Sequence, residues 1–258
     1  MSNKSKKQKS IICALMLGRA GSISLPGKNI LPVLGKKLCE YPLIAASKSK
    51  YIERIFISTD CPIISQISKK YNASIIKRPA KLATHSALGE DAFRHGYFKI
   101  KKKLEAENKK IELMVLLFAN APTITNKLIN EGIKILRKNP RLDSAVTTSI
   151  YNMWSPLRAR KIGKDGTLEP FVPFKTFGDP KTLNCDRDSQ GNVYYADMSV
   201  SVVRPFCLEK LEEGLLPQKW MGKKIAPIHS WGGCDVDYEW QIPIVEFWLK
   251  KQGYKNKK

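Results

Sequence analysis

The sequence is poor in several features that would fix a function class at once. Its six cysteines, at 13, 39, 61, 185, 207 and 234, include no Cys-x-x-Cys pair, which argues against a disulfide framework and a zinc site. The three histidines, His85, His95 and His229, show no metal-ligand spacing either. No apolar run approaches the roughly 18 residues a membrane helix needs. The apolar run behind the lysine-rich start, Ile11–Leu17, breaks at Gly18-Arg19, too short and too abruptly ended for a secretory signal. The expectation is a cytoplasmic protein with no membrane partner. Acidic residues are scarce, 23 against 45 basic, for a formal net charge of +22. Such a charge draws polyanions, but no helix-turn-helix, zinc-finger or aromatic RNA-binding motif accompanies it. The lysine runs at 99–103, 109–110 and 255–258 read as solvated helix faces and chain ends, so nucleic acid is not the expected partner.

What is present is a rhythm. Short apolar runs alternate with amphipathic stretches, the pattern of a mostly parallel sheet covered by helices. Strands are expected at Ile11–Leu17, Arg54–Ser58, Ser74–Lys77, Leu113–Phe118 and Ser144–Ser149, and helices at Leu38–Lys50, Pro62–Tyr71, Leu88–Glu105 and Asn126–Lys138. From Tyr151 to Asn192 the rhythm fails, and prolines and glycines replace any helical period. A long excursion inside an α/β domain is usually functional or an interface element. Met198–Val203 then resumes as a strand, and Tyr238–Lys250 makes a last amphipathic helix with Trp240, Ile244 and Trp248 near one face. The organisation expected is a basic flexible tail over 1–10, one domain over 11–252 with an inserted arm at about 151–192, and a basic tail over 253–258.

Two constellations carry chemistry. The first strand empties into Gly18-Arg19-Ala20-Gly21-Ser22-Ile23-Ser24-Leu25-Pro26-Gly27-Lys28-Asn29. Glycines let a backbone turn sharply and present its N–H groups to a ligand. Arg19 and Lys28, nine positions apart on that loop, can converge on phosphate oxygens. In open parallel sheets ligands bind outside the carboxyl ends of the strands, so Arg78, after the third strand, faces the same crevice. The loop lacks the Gly-Lys-Ser/Thr ending of a Walker loop and does not match the dinucleotide fingerprint. The second constellation is Asp235-Val236-Asp237 behind Gly232-Gly233. Carboxylates at i and i+2 of an extended segment point the same way and suit Mg²⁺, which bridges protein carboxylates to substrate phosphates. The same acids also suit a helix N-terminus, and both readings can hold together.

These motifs resemble the cytidylyltransferases that activate sialic acids and related acidic sugars, the CMP-nonulosonate synthetases. Gly18–Asn29 follows that family's opening motif. Ile57-Ser58-Thr59-Asp60 is similar to its Val-Ser-Thr-Asp, Arg78-Pro79-Ala80-Lys81-Leu82-Ala83 to its Arg-Pro-Ala-Glu-Leu-Ala, and Asp235-Val236-Asp237 with Glu239 to its Asp-Ile-Asp and nearby Glu. The likeness runs from about Ile11 to Val245 and implies a Rossmann-like nucleotidyltransferase α/β fold with an inserted dimerisation arm. It implies a homodimer that takes CTP and an acidic sugar, with Mg²⁺ as cofactor. Gly18, Arg19, Ser22 and Lys28 would hold the CTP phosphates, Asn29 and Arg78 the cytidine, and Asp235 and Asp237 the metal. Arg19, Lys28, Asp235 and Asp237 would be catalytic; Arg158, Arg187 and Asn120 would contact the sugar, the two arginines across the dimer interface.

The chain departs from the family pattern at two places. Ile23 and Ser24 stand where the family has a second loop lysine and a glycine, and Phe118 stands where it has a glutamine, whose amide hydrogen bonds a phenyl ring cannot make. A glycosyltransferase with an Asp-x-Asp site, a nucleic-acid-binding protein and an inactive relative are the competing readings. The late position of the acid pair argues against the first of these.

Overall fold

The computed structural model describes residues 8–184, 186 and 191–256. Its first strand, β1 (Lys9–Gly18), is buried from Ile11 onward, and alternate residues enter opposite faces of one sheet, as the two-residue strand period requires. Ile12, Ala14 and Met16 pack in one cluster; Ile11, Cys13, Leu15 and Leu17 pack in another. A strand apolar on both faces belongs at the centre of a helix-covered sheet. After β1 the chain forms the small strands β2 (Pro32–Val33) and β3 (Lys36–Lys37), then α1 (Glu40–Ser47), β4 (Ile52–Thr59), α2 (Pro62–Lys70), β5 (Ser74–Lys77), α3 (Gly89–Ala106), β6 (Lys109–Phe118), α4 (Asn126–Lys138) and β7 (Ser144–Ile150). Beyond these lie β8 (Arg160–Ile162), β9 (Leu168–Pro170), β10 (Tyr194–Val203), α5 (Pro205–Glu209), β11 (Ile225–His229) and α6 (Ile242–Lys251).

Seven strands make the main sheet in the order β11-β7-β10-β6-β1-β4-β5. All neighbouring pairs are parallel except those of β10, which runs against β6 and β7. Helices α1, α2 and α4 cover one face through Leu43, Ile64, Ile129 and Ile133. The other face is covered by α3 and α5 through Phe93, Tyr97, Ile100 and Leu208. The strand order reverses beside β1, which has β4 on one side and β6 on the other. That switch point, at the carboxyl ends of β1 and β6, is where an open α/β sheet leaves a crevice.

A third apolar cluster decides the site. The hairpin β2–β3 turns on Leu34 and Gly35, both at positive φ (46° and 75°), as a two-residue hairpin turn of this hand demands. Val33, Leu34, Leu38 and Tyr41 pack there against Val236, Val245 and Leu249. The last helix therefore buries Val245 and Leu249, while Trp240 and Ile244 of the expected stripe stay exposed. Tyr254, placed in a tail by the sequence reading, meets Tyr41 edge-on with ring centroids 4.9 Å apart. At the other end, pairing begins at Lys9, opposite Lys109, and Lys9 forms an ion pair with Glu53, so residues 9 and 10 are strand rather than tail.

The arm has a different character. It holds short 3₁₀ turns and the β8–β9 hairpin, and exposes Ile162, Leu168 and Phe171 at 76%, 71% and 63%. The sequence reading starts the returning strand at Met198, but pairing begins at Tyr194, opposite Ile150. Strand β11 was not anticipated: five residues with a central proline give little period-two signal, and edge pairing with β7 makes the strand.

Candidate active site

The loop after β1 is held open by its own contacts. Gly27, in left-handed backbone (φ 71°), precedes a short 3₁₀ turn at Lys28–Ile30, a conformation available to glycine at little steric penalty. Asn29, buried, donates its amide to the Arg19 carbonyl (2.9 Å) and so ties the two ends of the loop together. The Ala20 N–H donates to the Asp60 carboxylate at 2.9 Å, giving Asp60, in the Ser-Thr-Asp motif after β4, a role as loop anchor. Arg19 donates to the Thr84 carbonyl.

Arg19, Lys28, Asn29, Arg78, Phe118 and Asn120 line one cavity of about 190 Å³. Arg78 is nearly fully buried and donates to the Ser58 carbonyl at 2.6 Å and to the Ser58 hydroxyl at 3.3 Å. Burial pushes its guanidinium down to about 10, with the Asp60 carboxylate acting against that shift and Arg19 adding to it. A buried cation with no carboxylate pairing to it among the described residues is suited to an anionic or polar ligand. Phe118 forms an apolar wall, edge-on to Phe93 (centroids 5.2 Å apart) and 6.1 Å from Trp220. Ile23 stands 75% exposed on the outer part of the loop. Gly18, the last residue of β1, and Ser22, on the loop, are not among the residues lining the cavity.

The acid segment reaches this loop by a traceable route. Strand β11 is parallel to β7 and ends on the same sheet edge as β1, so the chain after His229 returns along that edge. The Val236 N–H donates to the Asn120 carbonyl (2.8 Å), and the Asn120 amide donates to the Val236 carbonyl (3.2 Å). Burying the Val236 side chain contributes about 1.5–3 kcal/mol, which holds the segment against the β2–β3 hairpin. Its neighbours then face the loop: Lys28 forms an ion pair with Asp237, 209 positions away in sequence. The Asp235 carboxyl is raised above the usual carboxylate range by burial and by Asp237, with Asp197 adding and Lys28 opposing. No other residue donates a hydrogen bond to that carboxylate among the described residues. The acids also precede a helix, as the alternative reading held. Gln241 caps that turn by accepting from the N–H groups of Asp237 and Tyr238, at 2.6 and 2.7 Å.

Arg19, Lys28, Asn29, Arg78, Asn120, Asp235 and Asp237 are thus gathered at the switch point. Arg158 is elsewhere: it lines a separate cavity of about 230 Å³ within the arm, together with Arg160 and Phe174. Arg187 lies outside the described residues. Asp60 and Asp197 escaped the sequence reading as site residues. Asp60 carried a signal in its motif, whereas Asp197 carried none.

Residues 13–159 match the family model described as cytidylyltransferase. The chain belongs to the cytidylyltransferase family. Among similar proteins, N-acylneuraminate cytidylyltransferase of Oncorhynchus mykiss is 23% identical over 97% of this chain and 53% of its own length. The CMP-N,N'-diacetyllegionaminic acid synthase of Legionella pneumophila is 29% identical over 61% of this chain and 65% of its own. The chain therefore spans only about half the length of the trout cytidylyltransferase. A solved CMP:2-keto-3-deoxy-manno-octonic acid synthetase complexed with CTP has the same fold, with TM-score 0.65 at 15% identity, covering 94% of this chain and 100% of that one. Membership in the cytidylyltransferase family does not favour the glycosyltransferase and nucleic-acid-binding alternatives. No helix among the described residues is long and apolar enough to cross a membrane.

Proposed function

We propose that this cytidylyltransferase activates an acidic, nonulosonic acid-type sugar with CTP, giving the CMP-sugar and pyrophosphate. The observation that carries the reading is the meeting of the glycine-rich loop and the late acid pair, through Lys28 and Asp237, beside one cavity at the switch point. The sugar's anomeric hydroxyl attacks the α-phosphorus and pyrophosphate leaves. Transfer of this kind needs mainly alignment and charge neutralisation. Arg19 and Lys28 offset the repulsion between a sugar carboxylate and a triphosphate, and they stabilise the charge that develops on the leaving group. Arg78 and Asn29 seat the nucleoside; Asn120 stands at the junction of the nucleotide cavity and the acid segment. Holding the reacting groups in line removes about 7–11 kcal/mol of barrier, so fixed geometry outweighs any single base.

Asp235 and Asp237 are the residues that would hold Mg²⁺. Two carboxylates, one of them half-buried and, among the described residues, receiving no hydrogen bond from any other residue, fit a cation that takes few protein ligands and keeps waters and phosphate oxygens for the rest. Bound there, the ion would supply charge neutralisation at the phosphates. The exposed apolar residues of the arm favour a homodimer in which Arg158 reaches the sugar site of the partner subunit, and the reaction is assigned to the cytoplasm. Pyrophosphate release from CTP, screened over sialic, legionaminic, pseudaminic and Kdo-like acids, tests the reading. Release with one of them, dependent on Mg²⁺, is expected; no release with any, under conditions where CTP binds, overturns it.

A further inference from the structure

We propose that Asp197 is a positioning residue for the acid segment, fixing the Gly232-Gly233 turn that carries Asp235 and Asp237 and adding its own negative charge beneath them. The proposal rests on the reading of those two acids as the metal-holding pair. Its starting point is an irregularity in β10. Ala196 pairs with Thr148 and Ser201 with Val146, so five steps along β10 answer two along β7. The surplus residues form a bulge in which Met198 takes a left-handed backbone (φ 55°), a conformation a non-glycine residue holds only where its surroundings enforce it. Bulges beside active sites re-aim side chains, and this one sends the Asp197 carboxylate into the interior.

Asp197 is buried. It accepts from the Thr147 hydroxyl (2.5 Å), the Ser149 hydroxyl (2.6 Å) and the Ser199 N–H (3.0 Å), and no lysine or arginine pairs with it among the described residues. Ser149 in turn accepts from the Gly233 N–H at 3.1 Å, so the carboxylate orients the hydroxyl that holds the turn. Tyr151 donates to the Gly233 carbonyl at 3.0 Å and clamps the same residue from its other side. A side chain at position 233 would overlap the Asp197 carboxylate, so glycine is required there by close approach. Two residues further on stands Asp235. Asp237 and Asp197 both place negative charge near Asp235, with Lys28 acting against them, a setting that favours a divalent cation at Asp235 and Asp237.

The test is Mn²⁺ binding by electron paramagnetic resonance with neither CTP nor sugar present, alongside hydrogen exchange at the Gly233 amide. Asp197→Asn is expected to weaken Mn²⁺ about tenfold, the lower end of what outer partners of metal ligands contribute, and to speed exchange at Gly233. Ser149→Ala leaves the buried charge in place and breaks only the relay, so it is expected to speed exchange with a smaller loss of Mn²⁺ affinity. Should Asp197→Asn fail to fold, Ser149→Ala carries the test alone. Normal Mn²⁺ affinity and unchanged exchange in the folded variants, with affinity lost in Asp235→Asn, overturn the role of Asp197 alone. Unchanged affinity in Asp235→Asn overturns the metal reading and this proposal with it.

Discussion

The crevice beside β1 and the arm after β7 are built on opposite terms. In the crevice, several chemistry-bearing residues are tied to anchored neighbours: Asn29 to Arg19, Arg78 to Ser58, and Asn120 to Val236, which is itself held in an apolar cluster. In the arm, short turns and one small hairpin leave Ile162, Leu168 and Phe171 in solvent. The contrast teaches where rigidity is needed. A reaction that depends on alignment demands a scaffold that cannot shift, whereas apolar side chains left outside a core mark a surface made to be covered.

The comparison can be broken most sharply at the crevice. Asp237→Asn should lower turnover at least about a hundredfold, as loss of a preorganised charge does, with the thermal midpoint little changed; near-normal turnover with Mg²⁺ would dissociate the acid pair from catalysis. Next comes the packing that joins the two constellations. Leu249→Ala, at a buried position in the cluster around Val236, should cost about 3 kcal/mol of stability in urea unfolding. Leu168→Ala in the arm should stay within about 0.5 kcal/mol; equal losses at the two sites would erase the distinction. Replacing Ile162, Leu168 and Phe171 together by aspartate should convert the proposed homodimer to monomer in sedimentation, with the urea midpoint of the folded subunit nearly unmoved. A sedimentation profile unaltered by the triple change would overturn the arm as the proposed subunit interface.

The smallest effect concerns acid pH, far from both regions. Arg54 and Lys109 hold the Glu107 carboxyl down from 4.5 to about 2 by hydrogen bonding. A carboxyl whose pKa is lower in the folded state contributes stability above its unfolded value and loses it as pH falls toward the folded one. Glu107→Gln should therefore lower stability above about pH 4.5 and converge with the parent chain near pH 2. Curves that stay parallel across that window would show that the pair contributes nothing.

Much of the fold was legible because most strands of the sheet and most of its covering helices repeat a period. The helix at Asn126–Lys138 was placed to the residue, since Ile129, Ile133 and Leu136 recur on one face and Thr125 caps its start by accepting from the Leu128 N–H. Arg19 and Lys28 were legible for a different reason: glycines and cations on a strand exit have few other uses, whereas Asn29 came only from the family resemblance. By contrast, β11 has too few residues to show a period, and the face of α6 that packs was decided by the hairpin waiting for Val245 and Leu249.

The chain by itself determined most of its strands and helices and the chemical kind of its two constellations, because these follow from spacing along a backbone. Only the tertiary structure decided that Lys28 would meet Asp237, that Asn120 would brace the acid segment and that a bulge would bury Asp197 beneath Gly233. Such contacts join residues tens to hundreds of positions apart. Their energies exist only once the sheet order has brought β11 back to the edge where β1 ends.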